Sequence, residues 1–203
     1  MHSRRTFLTR AVGYSAATAA GLVLSSAFWA SKASASGPAK APKTRENLMT
    51  AFSGESQAYQ KYMIFAGVAE KEGLTQVAKL FRATAEAEAL HAAAHLRNAG
   101  KVGDTMENLK TAIAGETYEY TEMYPGMTKD ASSEGEKKVE SYFAWAGAAE
   151  KGHAELYQKA LDAKGKIAET DYYVCKVCGY THEGPHDGSC PICGMGSSAF
   201  FKA

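Results

Sequence analysis

The segments Glu88-Ala-Leu-His91 and Glu150-Lys-Gly-His153 each set a carboxylate and an imidazole three residues apart. On a helix that spacing puts both side chains on one face and aims them at a common point, so that one helix offers two ligands to a cation. A further glutamate precedes each pair at a nearly constant interval: Glu55 lies 33 residues before Glu88, and Glu116 lies 34 before Glu150. Glu119 follows Glu116 by one turn. A lone helical glutamate belongs to a solvated face, but four of these five occupy repeat-related places and the fifth lies one turn beyond one of them. Turned into a core, each uncompensated carboxylate costs several kcal/mol, a penalty that clustered cations remove. The five negative charges nearly balance two ferrous or two ferric ions. Hard oxygen donors with two imidazoles suit iron or manganese better than copper or a structural zinc.

A second cluster is made of sulfur. Cys175-x-x-Cys178 and Cys190-x-x-Cys193 form two knuckles separated by eleven residues and contain all four cysteines of the chain. Two such pairs signal one four-thiolate metal site rather than two disulfides. Tetrahedral sulfur ligation suits zinc and iron alike, and spacing leaves both open. Gly179 and Gly194 follow each second cysteine and let backbone N–H groups approach the sulfurs. His182 and His186, in the loop between the knuckles, read as solvated residues.

These groups need a scaffold, and the spacing of apolar residues supplies a helical one. Leu48, Phe52, Ala58, Tyr59, Tyr62 and Phe65 recur at three- and four-residue intervals. Four helices are predicted, over about 44–71, 74–99, 105–129 and 134–164, with glycines at 73, 100 and 165 as punctuation. The repeated ligand pattern makes them two hairpins related by a pseudo-twofold axis, closing into a four-helix bundle around one site. After Gly165 aromatic, Gly, Pro and Cys residues replace the Ala-rich pattern. Residues 172–203 are too few to hold a core without a metal staple.

The N-terminus reads as a targeting segment. Ser3-Arg4-Arg5-Thr6-Phe7-Leu8 is a twin-arginine pattern, followed by an uncharged stretch from Ala11 to Ala30 and an Ala33-Ser-Ala35 cleavage site. An uncleaved membrane anchor is the alternative, because the stretch is about long enough to span a bilayer. Cleavage after Ala35 takes four of the 23 basic residues and none of the 22 acidic ones, turning a net charge of +1 into about −3. That balance carries no nucleic-acid footprint and no polybasic membrane patch. The expected organisation is a signal peptide at 1–35, linkers at 36–43 and 166–171, a bundle at 44–165 and a cysteine domain at 172–203.

The sequence resembles the rubrerythrins. The resemblance is carried by TAFSGESQAYQKY (50–62), EAEALHAAAH (86–95), AGETYEYTEMYPGM (114–127), AAEKGHAELY (148–157), YVCKVCGYTHEG (173–184) and CPICG (190–194). It implies a mainly α protein: a ferritin-like four-helix bundle with two irons, followed by a small rubredoxin-like domain with one. It makes Glu55 a terminal ligand of the first iron, Glu88 and Glu150 bridges, and Glu116 with His153 the remaining ligands of the second. It also implies that the first iron moves between His91 and Glu119 with oxidation state, and that Tyr124 hydrogen-bonds Glu119. Tyr59 and Tyr62 follow Glu55 by one and two turns, and His95 reads as a packing residue.

The implied activity is reduction of hydrogen peroxide by the bundle irons, refilled singly from the four-cysteine iron. A ferroxidase or iron-binding protein is the alternative, and a zinc-bearing binding module a third reading. Family members receive electrons through a rubredoxin and an NAD(P)H-linked reductase, both cytoplasmic, so an exported relative needs another donor protein. In a ferritin-like bundle the link between the second and third helices must travel the bundle's length. The ten residues from Gly100 to Leu109 reach at most about 33 Å. This predicts a homodimer in which the first two helices of one chain pack against the last two of the other.

Overall fold

A computed structural model describes residues 37–203. The twin-arginine pattern, the uncharged stretch and the cleavage site lie outside the described residues, among which no helix is long and apolar enough to cross a membrane. The protein is mainly α.

Helix α1 (Pro42–Lys71) opens two residues earlier than the periodicity predicts, because Pro42 at its first position needs no N–H partner and has its φ preset for a helix. Its C-terminal turn leads directly into α2 (Thr75–Asn98). The two helices pack through a seam of alanines, Ala66 and Ala69 against Ala78, Ala85 and Ala92, all buried. Tyr62, Phe65 and Phe81 form an aromatic cluster beside it, with Phe65 and Phe81 edge to face at 5.6 Å. Arg82 reaches across to Glu70 at 2.8 Å.

Both ends of the link to the second hairpin are fixed. Gly100, at φ +68°, closes α2: its N–H donates to the Arg97 carbonyl and that of Lys101 to Leu96, a left-handed stop that a side chain would strain. Asp104 then caps α3 (Thr105–Tyr118) in a reciprocal box with Glu107.

The third element is not the single helix over 105–129 that periodicity predicts. Glu119–Met123 forms a π turn, after which α4 (Tyr124–Ser133) continues the rod. Pro125 explains the break. In an unbroken α-helix its ring would meet the carbonyl four residues back, whereas in the widened turn the Tyr124 N–H donates to Glu119, five residues back. Helix α5 (Lys137–Asp162) packs along both α3 and α4, burying Ala131, Ala146, Ala149 and Ala154.

The tail is a three-stranded antiparallel sheet in the order β2-β1-β3, with β1 Tyr172–Cys175, β2 Thr181–Glu183 and β3 Phe200–Lys202. It rests on α5: Trp145 packs against the buried cysteines, and Lys159 pairs with Glu183.

Candidate metal centre

The tail site is built by two tight knuckles. Cys175 ends β1, and the Gly179 N–H donates back to its carbonyl at 2.9 Å. The second knuckle repeats this from Gly194 to Cys190, also at 2.9 Å. At φ +80° Gly179 adopts a backbone that favours glycine. The sulfurs of Cys175 and Cys193 lie 3.7 Å apart and those of Cys178 and Cys190 3.5 Å. Disulfide sulfurs sit at about 2.05 Å, whereas four thiolates about 2.3 Å from a central ion sit roughly 3.8 Å apart. The donor set therefore fits one tetrahedral cation. At Cys175 burial works upward, yet N–H groups of Cys178 and Val177 outweigh it and bring the thiol down to about 7. Burial pushes Cys178 far up, against the Tyr180 N–H that favours its thiolate. A cation resolves this conflict by binding all four as thiolates.

The carboxylate ligands converge in two groups. Glu55, Glu88 and His91 bring their ligating atoms within 4.8 Å of one another on α1 and α2, and Glu116, Glu150 and His153 do the same on α3 and α5. His91 Nδ1 lies 3.0 Å from Glu88, and His153 Nδ1 lies 2.6 Å from Glu150 and 3.7 Å from Glu116. Burial first, and then the neighbouring Glu150 carboxylate, raises the Glu116 pKa above the usual carboxylate range. Glu119 is raised too, by burial and then by the charge of Glu116, although it stays outside the tight cluster. Carboxylates crowded beside an imidazole in this way suit a hard cation.

The raised pKa of Glu116 makes the stability of the metal-free protein depend on pH. A carboxylate whose pKa is raised on folding holds its proton more tightly in the folded state, so its contribution to stability is present at low pH and lost as pH rises through the shifted value. In metal-free protein, Glu116→Gln should therefore raise the melting temperature more at pH 7 than at pH 4.5. Thermal melts in chelator at the two pH values check it, and an equal gain at both contradicts it.

One contact joins the two kinds of site. His153 Nε2 lies 3.1 Å from the Gly179 carbonyl and 3.1 Å from Thr181 Oγ1. A carbonyl only accepts, so Nε2 carries a proton and Nδ1 is the nitrogen that faces the carboxylates. The residue after Cys178 thus holds a candidate iron ligand.

Tyr124, the first residue of α4, stacks near Phe143 with ring centroids 6.1 Å apart. Its pKa is raised by burial, then by Glu150 and Glu119, which places its hydroxyl in the field of both. Gly147 makes this approach feasible: a Cβ there would lie 2.9 Å from the Tyr124 Cβ, an atom too close to the backbone to swing aside. Gly147→Ala is expected to cost about 1–3 kcal/mol, as overpacking does, and to lower the melting temperature of the iron-loaded protein by several degrees. An unchanged melt contradicts that packing.

Other residues fall elsewhere. Tyr62 belongs to the aromatic cluster, and His95 is half-buried on α2 outside both carboxylate groups. His182 and His186 correct the expectation of solvated loop residues. Both are half-buried, their rings 5.0 Å apart, with His186 stacked 4.4 Å from Phe200. The adjoining apolar residues made this stacking available, but the loop's polar composition hid it.

The rubrerythrin family model matches residues 46–161, and the model of the rubrerythrin rubredoxin-like domain matches residues 173–201. The chain belongs to the rubrerythrin family. Rubrerythrin-1 of Clostridium acetobutylicum is 37% identical over 186 residues, covering 80% of this chain and 95% of that protein. Rubrerythrin of Nitratidesulfovibrio vulgaris is 35% identical over 176 residues, covering 76% and 91%. Among solved structures, nigerythrin in a partially reduced state aligns with 32% identity and a TM-score of 0.48, covering 84% of this chain and 91% of that one. As in other rubrerythrins, the fold is a ferritin-like bundle with a rubredoxin-like tail. The cofactors are two irons among the bundle carboxylates and histidines and one iron among the four cysteines.

Proposed function

We propose that this rubrerythrin is a peroxidase that reduces hydrogen peroxide to water in oxidative stress defence, with electrons drawn singly from the four-cysteine iron. The observation that carries this reading is the double engagement of His153, which faces Glu116 and Glu150 with one nitrogen and Gly179, next to Cys178, with the other. Iron among the cysteines would thereby lie one side chain away from iron among the bundle carboxylates. Iron bound there would supply the two electrons that, with two protons, convert one peroxide into two waters, and iron among the cysteines would supply the replacement electrons one at a time.

The chain's own residues hold and tune that centre. Glu55, Glu88 and His91 would hold one iron and Glu116, Glu150 and His153 the other, with Glu88 and Glu150 placed to be shared between them. His91 would suit the first iron in its ferrous state and Glu119 in its ferric state, since an anionic carboxylate favours the ferric charge more than a neutral imidazole does. Glu119 begins the π turn, where the looser hydrogen-bond ladder gives its side chain room to move. The Tyr124 phenol, in the field of Glu150 and Glu119, is available to donate a hydrogen bond toward Glu119. An open cleft of about 370 Å³ lined by Tyr120, Tyr124, Phe143 and Lys151 lies on the Tyr124 side of the second triad.

The test is anaerobic reduction followed by rapid mixing with peroxide or dioxygen. Fast peroxide-dependent loss of the reduced state, with slow reaction toward dioxygen, supports the peroxidase. Faster reaction with dioxygen and release of ferric iron replaces it with the ferroxidase reading. Zinc in place of iron among the cysteines removes the electron route.

We also propose export, on the strength of the Ser3-Arg4-Arg5 pattern. The electron donor is then a periplasmic cytochrome or a quinol-linked protein. Cell fractionation with N-terminal sequencing tests this: a mature chain starting at Ser36 outside the cytoplasm supports it, and an intact cytoplasmic chain refutes it.

A further inference from the structure

We propose that His182 and His186 form a further metal site on the tail, which takes a borderline first-row divalent cation such as zinc through His182 Nε2 and His186 Nδ1. The site shares no ligand with the four-cysteine cluster or with the bundle triads.

The hydrogen bonds of the two rings leave the right atoms free. His182 Nδ1 lies 3.1 Å from the Gly184 carbonyl, and His186 Nε2 lies 3.1 Å from the Ser189 carbonyl. A carbonyl only accepts, so these two nitrogens carry the protons, and the neutral rings keep their lone pairs on His182 Nε2 and His186 Nδ1. Neither lone pair has a hydrogen-bond partner among the described residues. A ring that donates its N–H to a backbone carbonyl is fixed in tautomer and orientation, which is how metal-binding histidines are held.

The local fold sets the rings side by side. His182 lies in β2, and Gly184, at φ +76°, turns the chain immediately after that strand, its N–H donating to the Asp171 carbonyl at 2.7 Å. Phe200 backs His186 at 4.4 Å, and Tyr180 stands edge-on to it at 6.4 Å. The two imidazole centroids are then 5.0 Å apart, with their planes at 60°. Two imidazoles bound to one tetrahedral zinc, at Zn–N bonds of about 2.0–2.1 Å, have centroids roughly 5 Å apart. The separation is already that of a shared ion. The His-x-x-x-His spacing also occurs at zinc sites.

A cation can reach the pair. Both rings are half-buried, and an open cleft of about 320 Å³, lined by Gly152, Glu155, Lys159, Tyr180, His182 and Glu183, borders His182. Glu183 and Asp187 each follow a histidine and add carboxylates to the neighbourhood, Glu183 being paired with Lys159. Two imidazoles, with water or a carboxylate in the remaining positions, suit zinc. Tyr180 and Phe200 touch both the histidine pair and the cysteine cluster. Positive charge held at the histidines would therefore favour the more negative, ferrous state of iron among the cysteines.

Calorimetric titration of the iron-loaded protein with zinc tests this. The chain should take up about one further zinc, and His182→Asn and His186→Asn should each weaken that uptake by at least the roughly tenfold that loss of an outer partner costs a metal site. Unchanged visible absorption of the cysteine iron shows that the tail is folded and that zinc has not displaced iron. Variants that bind zinc as tightly as the wild type overturn the inference. Should the substitutions unfold the tail, the wild-type protein still decides it. Diethyl pyrocarbonate attacks the unprotonated ring nitrogen, so zinc should slow its reaction at His182 and His186 severalfold relative to His95, as mapped by mass spectrometry. Equal modification of the pair with and without zinc leaves two rings that merely pack, and overturns the proposal.

Discussion

Cys178→Ser is expected to abolish turnover with an external electron donor, lowering the steady-state peroxidase rate by about two orders of magnitude or more. The tail presents a three-stranded sheet of three or four residues per strand, and its buried core is Cys175, Cys178 and Cys190. So small a core is held by its metal, as zinc-finger peptides are by structural zinc, which supplies about 10–16 kcal/mol there. Losing one thiolate should therefore make the amides of 172–203 exchange rapidly and remove the visible absorption of the sulfur-bound iron. It also releases the Gly179 carbonyl from His153. The bundle, chemically reduced beforehand, should still be oxidised once by peroxide and then stop. A variant that turned over at the wild-type rate would show that electrons enter without passing through the tail.

The second large effect is expected from Glu150→Ala. Glu150 lies 2.6 Å from His153, raises the pKa of Glu116, and is 17% exposed at its side chain. As a proposed bridge it touches both irons, so removing it should empty the bundle, with the cysteine iron retained. Metal analysis should fall from about three irons per chain to about one, and the peroxide reaction of the reduced protein by roughly a thousandfold or more. Glu150→Gln separates charge from volume: it keeps the packing, yet one negative charge is lost opposite the cations. Retention of the bundle irons in both variants would remove Glu150 from the ligand set.

Much of this was legible in the sequence because it is periodic. The interval of three residues in Glu88-x-x-His91 and Glu150-x-x-His153 needs only helical geometry to become a shared face, and the structure gathers each pair with one more glutamate. The paired Cys-x-x-Cys knuckles are equally local. What stayed hidden depends on residues far apart in the chain or on a single slipped hydrogen bond. The π turn at Glu119–Met123 leaves the apolar period almost unchanged, and only Pro125 inside a helical run signals it. The contact of His153 with Gly179 spans 26 residues and has no sequence signature. Nor does Gly147, whose role appears only when Tyr124 is seen against it.

The clasp on His153 has a consequence for the order in which the protein is loaded. Gly179 and Thr181 hold the imidazole with Nδ1 turned toward Glu116 and Glu150, so this triad is presented ready-made to an arriving ion. His91, by contrast, has Glu88 as its single polar contact among the described residues and is mostly open to solvent. The first ion taken up should accordingly settle on the α3–α5 side, with the α1–α2 side filling after it. Since the clasp belongs to the cysteine tail, that sequence begins once the tail itself is in place.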